Sequence, residues 1–140
     1  VVFDTMVLAY AVLKTVPFYE ESALALEAVP EVWAPESLRA EFVNTLWQWV
    51  RARQIPLETA QLALQDVGPI LTHLVPTSSL WEDALDLAVD RAHPAYDTLF
   101  VALAAKLGTK VVTYDSPLMQ KFPEWTISVP DFLNQRPAAH

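Results

Sequence analysis

Four acidic residues, Asp4, Glu41, Asp97 and Asp115, sit where a phosphodiester-cleaving metal site would need oxygen ligands. Asp4 closes the opening apolar run Val1-Val2-Phe3, and Asp115 follows a second run, Val111-Val112-Thr113-Tyr114. Glu41 and Asp97 fall near the starts of helical patterns. Side chains at the carboxyl ends of parallel strands meet in one crevice. Carboxylates collected there repel one another unless a hard cation holds them. Mg²⁺ or Mn²⁺ suits such a set, because both ions prefer oxygen and are held by one or two carboxylates plus substrate phosphate. A cation so held lowers the pKa of water and offsets charge on a phosphoryl group under in-line attack.

Each acid alone has an ordinary explanation. Asp4 and Asp115 can cap the helices that follow them, and Asp97 can sit favourably on a helix dipole. Glu41 shares a polar helix face with Asn44, Thr45 and Gln48, opposite the apolar stripe Phe42, Leu46, Trp49 and Val50. The joint pattern carries more weight, with one carboxylate on each of four independent elements.

Those elements follow from periodicity. Strands are expected at Val1–Asp4, Glu31–Ala34, His73–Pro76, Lys110–Thr113 and Thr126–Val129. Helices are expected from Thr5 to about Lys14, Pro17 to about Ala28, Pro35 to Arg53 and Pro56 to about Asp66. Three more should follow: from a Ser78 or Ser79 cap to Arg91, with Glu82 completing a capping box, from Pro94 to Leu107, and over Ser116–Lys121. Strands alternating with helices give an α/β fold, a mostly parallel sheet covered on both faces. Leu80, Ala84, Leu87 and Ala88 form an inward stripe, with Glu82, Asp83, Asp86 and Asp90 facing solvent. The stretch Thr98–Ala105 carries no charge and should be buried nearly all round, which leaves Asp97 an ionisable group at the edge of the core.

With 140 residues and 53% hydrophobic side chains, the chain fits a single globular domain over 1–133, with 134–140 as a tail. It contains no cysteine, which excludes disulfides and thiolate metal sites. No apolar run is long enough to span a membrane, and no secretory signal is recognisable, so the expected location is cytoplasmic. The chain opens without Met, consistent with trimming of a few leading residues. A formal charge of −8 argues against a broad basic nucleic-acid surface, although setting the four acids aside halves it. Nucleic-acid contact would have to be local, through residues such as Arg39, Arg51, Arg53 and Lys121. The five tryptophans are better read as core or interface than as base-stacking platforms.

Competing chemistries lack their residues. A haloacid-dehalogenase-type phosphatase needs a second Asp where Met6 stands, and a response-regulator receiver needs paired acids at the first strand. Gly68 and Gly108 are the only glycines, too few for a phosphate-cradling loop. His73, His93 and His140 are scattered, and His93 before Pro94 reads as a helix cap rather than a metal ligand.

Asp4-Thr5, Ala40-Glu41-Phe42-Val43-Asn44, Tyr96-Asp97-Thr98-Leu99-Phe100-Val101-Ala102-Leu103-Ala104 and Val112-Thr113-Tyr114-Asp115 together resemble the PIN domain, in particular VapC-type ribonuclease toxins. The resemblance runs from Val1 to about Phe132. It implies a PIN-like α/β/α sandwich around a five-stranded sheet. It further implies a Mg²⁺- or Mn²⁺-dependent endoribonuclease acting on RNA, a homodimer, and a cognate antitoxin that occludes the site. The family's acidic quartet then maps onto Asp4, Glu41, Asp97 and Asp115. Asp4 and Asp97 would be the direct ligands, and Glu41 and Asp115 would complete the site partly through water. Thr5, Asn44 and Thr113 are the candidates for substrate contact. Ser116-Pro117 departs from the further acid or Asn that many members carry after the fourth Asp. The alternative from another class is a catalytically inactive PIN-fold module that binds a protein partner.

Overall fold

A computed structural model describes residues 1–135 of the chain. Five strands, β1 (Val2–Phe3), β2 (Trp33–Pro35), β3 (His73–Val75), β4 (Val111–Thr113) and β5 (Thr126–Ser128), form one sheet. Their order is β3-β2-β1-β4-β5 and every neighbouring pair is parallel, so the mostly parallel expectation becomes wholly parallel. The chain builds outward from β1 through β2 to β3, then returns to lay β4 on the other side of β1. The strand order therefore reverses between β1 and β4, and the carboxyl ends of such strands flank a crevice.

Eight helices flank the sheet among the described residues: α1 (Thr5–Val12), α2 (Tyr19–Glu27), α3 (Leu38–Arg51), α4 (Leu57–Val67), α5 (Trp81–Arg91), α6 (Ala95–Leu107), α7 (Ser116–Lys121) and α8 (Val129–Asn134). Alternation along the short strands divides the core. Val2 and Val111 point into one apolar layer with Leu38, Phe42, Phe100 and Leu103. Phe3 and Val112 point into the other with Val7, Ala25, Ile127 and Val129. Both faces are thus covered, as a parallel sheet requires.

The helix that matters most is α6. Thr98 through Ala104 are all buried, and the hydroxyl of Thr98 donates to the Ala84 carbonyl at 2.7 Å, tying α6 to α5. Gly108 ends α6 in the left-handed region, φ 66°, where a side chain is disfavoured. Each fully buried Phe or Leu on this helix contributes about 1.5–3 kcal/mol from apolar burial.

Several boundaries differ from the sequence reading. Pro35 ends β2 instead of opening a helix, and α3 begins at Leu38. The second helix starts at Tyr19, two residues after the Pro17 expected to open it. Neither Ser78 nor Ser79 caps α5: both lie in a 3₁₀ turn, Thr77–Ser79, and the N-cap is Leu80, without a side-chain cap. The last strand stops at Ser128, whose hydroxyl accepts from Asp131 N at 3.1 Å and starts α8. That helix ends at Asn134 with Gln135 as its C-cap; of the expected tail, 134–140, residues 136–140 lie outside the described residues.

Candidate active site

The four carboxylates share one crevice. Asp4, Glu41, Asp97 and Asp115 all line one open crevice of about 700 Å³ at the carboxyl ends of β1 and β4, with Thr5, Asn44, Thr45, Tyr10, Tyr96 and Tyr114. Asp4 is the N-cap of α1 and bridges two elements. Its Oδ1 accepts from Thr5 N at 2.8 Å and its Oδ2 from Thr113 Oγ1 at 2.7 Å. Thr113 in turn accepts from Asp115 N at 2.9 Å, and Asp115 Oδ1 accepts from Leu118 N at 3.1 Å to cap α7. Glu41, in the first turn of α3, accepts from Thr5 Oγ1 through Oε2 at 2.8 Å. Asp97, in the first turn of α6, meets His93 Nε2 through Oδ2 at 2.8 Å. The capping explanations of Asp4 and Asp115 therefore hold together with convergence; the two are not exclusive.

Electrostatics sharpen the picture. Burial, the largest cause, pushes Asp4 up to about 6, with repulsion from Asp97 and Asp115 adding to it and the Thr113 and Thr5 hydrogen bonds opposing it. Burial likewise pushes Glu41 up to about 7, with Asp4 and Asp97 adding repulsion against the Thr5 hydrogen bond. Among the described residues, no Lys or Arg lines the crevice to compensate. Arg39, Arg51, Arg53 and Lys121, the basic residues expected to reach a substrate, all lie outside its lining and are exposed.

The donors fit a hard divalent cation in chemistry: carboxylate oxygens, mutually repelling, with no Lys or Arg in the lining among the described residues. In spacing they are looser. Among the described residues, no three His, Asp or Glu side chains are gathered closely enough to hold a metal ion as they stand. Mg²⁺ does not need such a cage, since it retains several waters and takes one or two carboxylates with substrate phosphate. The chemistry therefore decides, and the residues fit.

Asn44 and Thr45 line the crevice from α3. Thr5 and Thr113, considered for substrate contact, are buried with their hydroxyls given to carboxylates, and Thr113 is not part of the lining. Tyr10, Tyr96 and Tyr114 were not anticipated. Tyr10 stacks on Phe18 at 4.8 Å, and the Tyr114 hydroxyl bonds Ser22 at 2.6 Å and donates to Glu21 at 2.9 Å, joining the end of β4 to α2. No tryptophan lines the crevice; Trp33 stacks on His73 at 4.2 Å. His93, expected as a cap, is not the N-cap of α6, a place taken by Pro94. Its four-residue spacing from Asp97 was the available signal.

Sequence comparison adds an independent line. The family model described as PIN domain matches residues 1–121. The chain belongs to the PIN domain family. A protein of Pyrobaculum aerophilum named Ribonuclease VapC3 is 29% identical over 106 residues, 74% of this chain and 81% of that protein. The crystal structure of PAE2754, also from Pyrobaculum aerophilum, superposes with a TM-score of 0.71 at 21% identity, covering 96% of this chain and 92% of the other. A toxin-antitoxin complex from Klebsiella pneumoniae matches with a TM-score of 0.63 at 15% identity, covering 91% and 96%. These two structures share the PIN fold with this chain. Among the described residues, no helix is long and apolar enough to cross a membrane.

Proposed function

We propose that the protein is a Mg²⁺- or Mn²⁺-dependent endoribonuclease and the toxin of a toxin–antitoxin pair. The observation that carries this reading is that Asp4, Glu41, Asp97 and Asp115 line one crevice with no Lys or Arg among its described residues, in a PIN domain chain. The relative named as a ribonuclease supports RNA as the substrate. Asp4 and Asp97 would hold the cation directly, and Glu41 and Asp115 would complete the site partly through water. When bound, the cation supplies a Lewis acid that activates water and offsets phosphoryl charge.

The chain's own groups do the rest. Thr113 and the amide of Thr5 fix both oxygens of Asp4, so this carboxylate is oriented before any ligand arrives. Thr5 fixes Glu41 through one oxygen, so this carboxylate too is oriented from within the fold. Asn44 and Thr45, uncharged hydrogen-bonding groups on the crevice wall, are placed to orient RNA. Cleavage of this type leaves a 5′-phosphate and a 3′-hydroxyl.

Protein partners also enter the proposal. Trp81, Leu85 and Tyr96 are exposed and line an apolar groove of about 660 Å³ that shares Tyr96 with the crevice. An antitoxin segment seated there would reach the acidic site past Tyr96. The homodimer is checked by sedimentation of the purified chain.

The test of function is cleavage of labelled single-stranded and hairpin RNA. Wild type should cleave with Mg²⁺ or Mn²⁺ and stop on chelation, and Asp4→Asn and Asp97→Asn should each be inactive while folded. Full activity in both variants would remove these carboxylates from the mechanism.

A further inference from the structure

Three of the four carboxylates take their orienting donors from backbone amides or threonine hydroxyls. Asp97 instead meets an imidazole nitrogen, His93 Nε2, which donates to the carboxylate when the ring carries its proton there. We propose that His93 is the positioning residue of Asp97, holding Oδ2 so that the carboxylate is oriented at the crevice where a cation would be held. The inference rests on the metal-dependent reading above and assigns a role to a residue outside the acidic quartet.

The turn between α5 and α6 is built to deliver this ring. Helix α5 ends with Ala92 in the left-handed region, φ 51°, and His93 N donates to Ala88 O at 3.1 Å. Pro94 follows, and a residue before proline is steered away from helical backbone. His93 consequently leaves α5 and stands over the first turn of α6, four residues from Asp97, with Nε2 at 2.8 Å from Oδ2.

The ring is also clamped. It packs edge-to-face on Phe122, centroids 5.9 Å apart and planes at 88°, and Phe122 is itself fully buried. The Arg91 guanidinium lies 4.8 Å over the Phe122 ring. Arg91 also donates to Lys121 O at 2.7 Å and pairs with Glu124. The His93 side chain is 8% exposed against 33% for Asp97. Water is therefore a poor substitute for the imidazole on this oxygen, whereas the remainder of the carboxylate stays accessible. Residues that hydrogen-bond a ligating carboxylate fix its direction, and their loss weakens metal affinity about 10–100-fold. A residue serving only the turn would have no such effect.

The experiment is calorimetric titration of the full chain with Mn²⁺, alongside RNA cleavage and thermal unfolding. His93→Phe keeps apolar contact with Phe122 and removes the donor; His93→Gln restores an N–H donor at similar reach. Phe should raise the Mn²⁺ dissociation constant about 10–100-fold, and Gln should recover most of that loss. Wild-type Mn²⁺ affinity in His93→Phe overturns the proposal, as does a Gln variant as weak as Phe. An absence of Mn²⁺ binding by the wild type would overturn the metal reading itself, a separate result. Should His93→Phe fail to fold, ¹⁵N NMR of the wild type at alkaline pH decides: the Nε2–H tautomer at His93 supports the proposal, and the Nδ1–H tautomer overturns it.

Discussion

Neutralising Asp4 should stabilise the metal-free protein, and the gain should grow with pH. Burial raises the Asp4 carboxyl from 3.8 to about 6, so below about 4 both folded and unfolded chains hold the proton and no penalty exists. As pH rises through the folded value, the native state must give up a proton it binds more tightly than the unfolded chain does. Stability conferred by that proton is then lost. Two pKa units correspond to about 3 kcal/mol, an upper bound because Asp4 keeps part of its surface open to the crevice. Asp4→Asn retains an oxygen for Thr5 N but gives up the carboxylate that accepts from Thr113, which costs about 1 kcal/mol at every pH. That cost is the same at every pH and drops out of the pH dependence, so the difference in stability between Asp4→Asn and wild type should shift by up to about 2.5 kcal/mol in favour of the variant between pH 4 and pH 8. For a domain of this size that is roughly 7 °C in Tm. Circular-dichroism melts in chelator across this range read it directly. A difference in Tm that stays flat, or shrinks as pH rises, would show that Asp4 is not a buried charge.

Three further outcomes follow from single contacts. Thr113→Val removes the hydroxyl that donates to Asp4 and accepts from Asp115 N, so it should cost about 1–3 kcal/mol in urea denaturation. It should also raise the Asp4 pKa above about 6 by NMR, and a value at or below wild type would contradict the assigned bond. Gly108→Ala places a Cβ in open space but in the left-handed region, so about 1 kcal/mol of backbone strain should appear with no packing defect. Phe100→Ala, in the fully buried α6, should cost about 3–5 kcal/mol; a loss below 1 kcal/mol would mean that α6 is not central to the core.

Much of the architecture was legible because the chemistry is local. Apolar runs ending in Asp4 and Tyr114 mark strands, and the uncharged stretch after Asp97 can only be a buried helix. Topology then brings the strand-end acids together without any long-range signal in the sequence. What escaped depends on tertiary context. Pro35 looks like a helix opener but tolerates the end of β2, where it closes the pairing with Val75. Val129-Pro130 continues an apolar run and hides the start of α8, whose signal was the Ser128 cap. The serines before α5 prefer caps in general, yet the 3₁₀ turn there places Leu80, a buried core residue, at the helix start. His93 pairs with Asp97 only because Ala92 turns left-handed and Phe122, nearly thirty residues away, backs the ring. The tyrosines lining the crevice and the outlying positions of Arg39, Arg51, Arg53 and Lys121 likewise follow from packing that periodicity does not encode.

The central claim is that Asp4 and Asp97 share one divalent cation. Calorimetric titration of chelator-treated protein with Mn²⁺ at neutral pH tests it most directly. Wild type should bind with a dissociation constant on the order of millimolar or below, with protons released, and Asp4→Asn and Asp97→Asn should each abolish the heat. Folded wild type that takes up no Mn²⁺, or unchanged affinity in both variants, would contradict the account.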